Sequence, residues 1–269
     1  MRPRKKQKQM GGFSIPSLIF AVLMTIVSVA LAWKIIDYLR DEHKSQSYWD
    51  ALPEFVVVER ESAPLAVSAE PHAAAESPVP EPAPVIPEAI DFDRLREISP
   101  DVIAWLLSPG TQINYAIAQA EDNDYYLHRL LDGAAANGGT PFADYRCSAD
   151  FSDYNTVIYG HNMKSRAMFA GLIDYFDPGF YAEHPVMYLY VPGKRYTLEM
   201  VAGYETDVYD TVFSVPATKE ARDEIAARAA KRSSFDAGVV AGGEDRLVTP
   251  STCSYDYDNA RYVLIGRIT

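Results

Sequence analysis

The chain opens with an uncharged run of 19 residues, Ile15–Trp33. A helix over that run is about 29 Å long at 1.5 Å per residue, close to the roughly 30 Å hydrocarbon core of a bilayer. Pro16 falls in the first turn, where a missing N–H costs little. Trp33 and Lys34 suit the far interface, one as an aromatic anchor and one by snorkelling. Residues 41–61 fit a short helix or a strand equally. Residues 62–89 hold Pro64, Pro71, Pro78, Pro80, Pro82, Pro84 and Pro87 with Ala and Glu between them. Such a segment buries no core and favours extended polyproline II.

A folded pattern begins at Ile90. Asp91–Ile98 reads as a helix, and Pro100-Asp101 is expected to start a second one through Leu107. After Gly110 the chain turns to short runs rich in Val, Ile, Tyr and Thr, bounded by turn signals such as Asn137-Gly138-Gly139 and Pro192-Gly193-Lys194. Strands are expected at Ile113–Ala118, Thr156–Tyr159, Val186–Val191, Arg195–Glu205, Arg246–Thr249 and Arg261–Ile268. One Ala-rich helix interrupts them, Lys219–Lys231, with Thr218 as its N-cap and Glu224 and Arg228 in the favourable i,i+4 order. The pattern predicts a mostly-β domain closed into a barrel, with helices at its N-terminus and in one long loop.

Charge sets the topology. Arg2, Arg4, Lys5, Lys6 and Lys8 precede the apolar run and are expected to stay in the cytoplasm, with everything beyond about residue 40 outside. The organisation expected is a basic cytoplasmic tail over 1–12, a transmembrane signal anchor over 13–36, an extracytoplasmic stalk over 37–89 and a folded domain over 90–269. Ala30-Leu31-Ala32 fits a signal-peptidase site, but the apolar stretch is long for a cleaved leader, so an uncleaved anchor is the preferred reading. The net charge is −12 over 269 residues, and from Asp91 onward 26 acidic residues face 16 basic ones. So acidic a surface repels phosphate backbones and argues against nucleic-acid binding. The two cysteines, Cys147 and Cys253, make no disulfide framework, and no Cys/His cluster has zinc spacing.

Cys253 lies in Ser251-Thr252-Cys253-Ser254 after an expected strand, flanked by hydroxyls rather than the apolar neighbours of a structural thiol. Arg261 opens the terminal strand eight residues later. A hairpin over Ser254–Ala260 places the two side by side, where a guanidinium favours a thiolate and can hold a developing oxyanion. The bland alternative is an Arg paired with Asp256 or Asp258. His161, after Gly160 at a strand end, is placed to project into a cleft and carry protons near neutrality. Cys147 follows Tyr145-Arg146 in a polar turn. It reads as a free, incidental thiol, with a bridge to Cys253 as the alternative.

Tyr159-Gly160-His161-Asn162-Met163, Met168-Phe169, Ser251-Thr252-Cys253 and Arg261 together resemble the class B sortases. So do Asp101–Leu106, Thr111–Tyr115, Asp122–Leu127 and Phe142–Arg146, in the same order. The resemblance spans about residues 91–268. It implies an eight-stranded β-barrel with N-terminal helices and a helix in the loop before the catalytic-cysteine strand. It implies a membrane-anchored cysteine transpeptidase of a Gram-positive cell surface that needs no metal and no organic cofactor. Cys253 would attack the threonine carbonyl of a C-terminal sorting signal on a secreted protein. His161 would act as acid and base, and Arg261 would hold the oxyanion. The acceptor would be an amine of a peptidoglycan precursor or, in the pilin-polymerising alternative, a pilin lysine. Asn123, Leu127, Ser251 and Thr252 match positions lining the sorting-signal groove, and Tyr209, in the loop before the helix, is matched to a further groove position. The chain departs from the family where Pro250 replaces a Leu, Ala116 a Pro and Cys147 an Asn. Proline removes a ladder N–H, so an early end or bend of the Cys253 strand is expected. Two other functions compete: a non-catalytic wall-binding module on a stalk, which has no need of all three groups, and a thiol hydrolase using water as acceptor.

Overall fold

The structure is a computed structural model that describes residues 15–58 and 86–268. The basic cluster Met1–Lys8 and residues 62–85 of the proline-rich stretch lie outside the described residues. The chain divides into two compact units, one ending at Lys44 and the other beginning at Ser45.

In the first unit, residues 15–44 form most of helix α1 (Ile15–Val56). Its apolar side chains, Leu18, Phe20, Leu23, Ile26 and Leu31 among them, are exposed. Among the described residues it is the one helix long and apolar enough to cross a membrane.

In the second unit, the end of α1 buries Trp49 and Leu52. Residues 57–58 leave the helix as a short strand, β1 (Val57–Val58), paired antiparallel with β2 (Ala89–Ile90). Helix α2 (Phe92–Ile98) starts where Asp91 accepts the Arg94 backbone N–H at 3.1 Å, and it buries Phe92 and Leu95. Each such burial contributes roughly 1.5–3 kcal/mol. The helix stops at Ser99, because Pro100 follows.

The second helix expected through Leu107 is instead a strand, β3 (Val102–Leu107). Five of its six side chains are buried. A short apolar run buried on both faces carries no period, so helix and strand look alike in sequence. Here Val102, Ile103 and Trp105 suit a pleated surface better than a helix.

Seven further strands close the sheet: β4 (Asn114–Ala118), β5 (Phe142–Ala143), β6 (Asn155–Tyr159), β7 (Val186–Val191), β8 (Lys194–Asp207), β9 (Arg246–Cys253) and β10 (Ala260–Ile268). The barrel order is β10-β8-β7-β3-β4-β5-β6-β9, with β9 pairing back to β10. The pairs β4–β5 and β6–β9 are parallel and the rest antiparallel. Trp105, Leu106, Ile117, Leu189, Leu198 and Leu264 belong to the main core. Helix α3 (Pro178–Glu183) is a short turn capped by Asp177. Helix α4 (Lys219–Arg232), in the loop between β8 and β9, is capped by Thr218 as expected. It packs Ile225, Ala226 and Ala229 with Val201 and Val263 in a second, smaller core. Its Arg228 reaches out of the helix to Asp210.

Candidate active site

The register of the last two strands sets the site. Arg261 of β10 lies directly opposite Cys253 of β9. Pro250 does not end the strand: β9 runs through it to Cys253, and Pro250 pairs with Ile158 of β6. What it removes is local. The β9–β10 pairs Cys253–Arg261, Thr252–Tyr262 and Ser251–Val263 are followed next by Val248–Gly266, in the same register. Thr249 and Pro250 form the gap, as expected where one ladder donor is missing.

Parallel pairing of β6 with β9 brings the histidine in. Tyr159 pairs with Ser251, and the Gly160 N–H donates to the Ser251 carbonyl at 3.1 Å. A Cβ on Gly160 would fall 2.5 Å from the Phe169 ring, so only glycine lets the chain turn here. His161 comes next. The Asn162 side-chain amide donates to the Cys253 carbonyl at 2.8 Å, and the Tyr255 hydroxyl donates to the Asn162 carbonyl at 3.0 Å. Two bonds thus clamp the histidine loop to the cysteine strand and the loop beyond it.

His161 places Nε2 2.8 Å from the Leu127 carbonyl, which can only accept. Nε2 therefore carries the proton and Nδ1 is the basic nitrogen of the neutral ring. Leu127 is held by a 3-10 turn, Tyr125–His128, against which Gly139 packs so closely that a Cβ would fall 2.5 Å from its carbonyl. His128 stacks on His161 with ring centroids 5.6 Å apart. Burial pushes the His161 pKa below the ordinary imidazole value, with repulsion from His128 and Arg261 adding to that, against the opposing Leu127 hydrogen bond. The shift favours the neutral ring.

Arg261 donates Nη1 to the Ala260 carbonyl at 2.9 Å and forms no ion pair among the described residues. Arg146, Arg166, Arg222, Arg228, Arg232 and Arg267 all have carboxylate partners. Pairing of Arg261 with Asp256 or Asp258 is not what the structure holds.

A cleft of about 520 Å³ collects the expected catalytic and groove residues: Cys253, His161, Arg261, Asn123, Leu127, Ser251, Thr252 and Tyr209. Tyr209 is 86% exposed at its rim. Ser251 and Thr252 are buried, with hydroxyls that have no partner among the described residues. Asn123 is already oriented: its amide donates to Asp144 at 3.2 Å and its carbonyl accepts the Tyr145 N–H at 3.1 Å.

Asp144 is the element that sequence reasoning missed. Its fully buried carboxylate accepts from Arg146 Nε at 2.8 Å and Nη2 at 2.6 Å, from the Tyr159 hydroxyl at 2.9 Å and from Asn123. Burial pushes its pKa up, but the Arg146 and Tyr159 hydrogen bonds outweigh that and hold it below the usual carboxylate range. Arg146 also donates to the Phe213 carbonyl at 3.0 Å, tying the wall of the cleft to the loop after β8. The two-residue spacing of Asp144 and Arg146 hints at a turn pair, but nothing in sequence marks that carboxylate as buried.

Cys147 stands apart. Both cysteines are free thiols. Cys147 is buried with its sulfur 3.8 Å from the Asn155 carbonyl, and burial pushes its pKa up to about 11. Arg146 is engaged by Asp144 and does not activate it.

The sortase B of Listeria monocytogenes is 38% identical over 179 residues, a match covering 65% of this chain and 72% of that protein. The chain belongs to the class B sortases. Sortase B of Staphylococcus aureus is 27% identical over 180 residues, covering 66% of this chain and 74% of that one. Among solved structures, a Staphylococcus aureus sortase B–substrate complex superimposes with a TM-score of 0.63 at 26% identity, covering 66% of this chain and 84% of that one. Bacillus anthracis sortase B in complex with AAEK1 gives 0.68 at 26% identity, covering 86% and 99%. No protein-family model matches the chain. The closed eight-stranded barrel is the sortase B fold, and the chain is a sortase-type cysteine transpeptidase.

Proposed function

We propose that this sortase cleaves a C-terminal sorting signal of secreted proteins after threonine and transfers the new carboxyl end to an amine of the cell wall. The observation that carries the reading is the convergence, in one cleft, of a free thiol, an imidazole held through Nε2 by the Leu127 carbonyl and an arginine with no ion pair among the described residues. His161 Nδ1 takes the thiol proton and Cys253 Sγ attacks the threonine carbonyl carbon. Arg261 donates to the oxyanion of the tetrahedral intermediate. Its collapse breaks the peptide bond, and the departing amine takes a proton from His161. The thioacyl-enzyme then meets an acceptor amine, His161 removes the amine proton, and a new amide forms as the thiolate leaves. Asn123, Leu127, Ser251, Thr252 and Tyr209 line the path of the signal. The hydroxyls of Ser251 and Thr252 are buried in the cleft wall and have no partner among the described residues.

Two solved relatives bear on the substrate classes: a Staphylococcus aureus sortase B was captured with substrate, and a sortase B was captured with triglycine. The apolar part of α1 supports a single-pass anchor, and the basic residues Arg2, Arg4, Lys5, Lys6 and Lys8 before it support a barrel outside the cell. The test uses the full-length chain in detergent, wild type and Cys253→Ala, with a pool of sorting-signal peptides and of glycyl, diaminopimelyl and lysyl amines. Mass spectrometry is expected to show a Cys253-dependent thioacyl adduct and a new amide, and the preferred amine separates wall anchoring from pilin polymerisation. Hydrolysis alone, with every amine ignored, would leave a thiol hydrolase. No adduct from a folded protein with a free thiol would leave a wall-binding module.

A further inference from the structure

The loop after His161 contains two non-glycine residues with left-handed backbone, Arg166 at φ 73° and Met168 at φ 58°. Such backbone is costly for a residue with a Cβ and persists only where the surroundings over-determine it. The loop is closed on itself: Asn162 bridges to Met168, and the Phe169 N–H donates to the His161 carbonyl at 2.9 Å. A shift at Met168 therefore moves His161.

Met168 is held from outside the loop. Its buried N–H donates to the Tyr115 hydroxyl at 3.0 Å. Tyr115, on β4, is itself 4% exposed, and its ring meets Trp49 of α1 edge-on with centroids 5.3 Å apart. Trp49 is 3% exposed. Neither residue lines the cleft.

We propose that Trp49 and Tyr115 are positioning residues for this transpeptidase: a brace from the end of α1 through β4 that fixes Met168 and thereby the place at which His161 presents its imidazole. The inference rests on the reading of His161 as acid and base. It gives the segment of α1 beyond Ser45 a part in turnover, distinct from any part in anchoring.

The experiment uses the full-length chain in detergent, with steady-state turnover of a sorting-signal peptide and NMR of a His161 ring signal assigned by His161→Gln. Tyr115→Phe keeps the ring and removes the acceptor. It is expected to lower kcat about ten- to hundredfold, the range for a small misplacement of a catalytic group, with KM for the peptide unchanged and the His161 signal shifted or broadened. Tyr190→Phe is the matched control, since Tyr190 is 2% exposed and its hydroxyl donates to the Pro87 carbonyl at 2.8 Å. It is expected to keep wild-type kcat and the His161 signal. Trp49→Ala is expected to act as Tyr115→Phe does, and Trp49→Phe to restore most of the rate. If Tyr115→Phe does not fold, the two Trp49 variants carry the test with the same outcomes. Wild-type kcat in Tyr115→Phe beside an inactive His161→Ala overturns the brace alone, as does an equal loss in Tyr190→Phe. Full activity in His161→Ala overturns the reading on which the brace rests.

Discussion

Cys253 and Arg261 face each other across the β9–β10 ladder in a register that the gap at Thr249 and Pro250 leaves unchanged. Among the described residues the guanidinium has no carboxylate partner, so in the proposed oxyanion role no ion pair has to break. Arg261→Ala is expected to lower kcat by about 10²–10³, the range seen when one oxyanion donor is lost. Arg261→Lys keeps the charge but not the planar fork, and it is expected to recover only part of the rate. Single-turnover acylation measures both, and a loss below about threefold in the alanine variant would remove Arg261 from the oxyanion role.

Burial holds His161 below the ordinary imidazole pKa, so the folded protein binds its proton less readily than the unfolded chain. Stability from this residue is present above about pH 6.5, the ordinary value, and is lost as pH falls through the lower folded value. NMR titration of the ring is expected to give a midpoint below that ordinary value. His161→Gln is expected to flatten the corresponding part of the stability–pH curve. A midpoint above the ordinary value would reverse the sign and the argument.

Thiol labelling at neutral pH is expected to modify Cys253 and spare Cys147, whose pKa burial pushes up to about 11. Cys147→Ala is expected to keep turnover, and peptide mapping after iodoacetamide treatment reads the labelled site. Prior modification of Cys147 in the folded protein would contradict its burial.

Asp144→Asn removes the charge from a carboxylate that Arg146, Tyr159 and Asn123 share. Hydrogen bonds to a charged group are worth about 1.5–3 kcal/mol, and half-exposure of Arg146 reduces its part, so a stability loss of roughly 2–3 kcal/mol is expected. Denaturant unfolding measures it. Because Asn123 and Arg146, which also holds the Phe213 carbonyl, lose their anionic partner, peptide KM is expected to rise more than kcat falls.

Gly160→Ala puts a methyl group 2.5 Å from the Phe169 ring. Overpacking of this kind costs about 1–3 kcal/mol. The strain falls on the residue before His161, so activity is expected to fall further than the melting temperature suggests. Calorimetry beside acylation kinetics separates the two, and an unaffected rate would show that the loop yields without moving the imidazole.

The barrel and its chemistry are legible in the sequence to different degrees. Strand segments such as Val186–Val191 and the α4 cap at Thr218 carry local signals, a run of β-branched and aromatic residues in one and an N-cap hydroxyl in the other, and both are observed. The run Val102–Leu107 reads as a helix because burial on both faces erases the period. Phe142–Ala143 gives no strand signal because two residues carry no pattern, although they join β4 to β6 and close the sheet. Cys253 and Arg261 are legible as a pair because a hairpin is a local device. The positions of His161, Asp144 and Tyr115 depend on pairings between distant segments, which no spacing encodes. Pro250 shows the converse: its effect on one ladder is readable, but its parallel pairing on the other side, which carries the strand onward, is not.

The parallel β6–β9 pairing has a temporal meaning. The Asn162–Cys253 bond joins residues 91 apart, and no local hairpin can make it. Contacts of such long sequence separation form slowly, after the entropy of closing the intervening loop has been met. Until then the hairpin that carries Cys253 and Arg261 lacks His161 beside it. On the proposed mechanism, a chain still emerging or still unfolded thus holds an unarmed cysteine, and the first turnover of each molecule serves as a clock for the closing of its barrel.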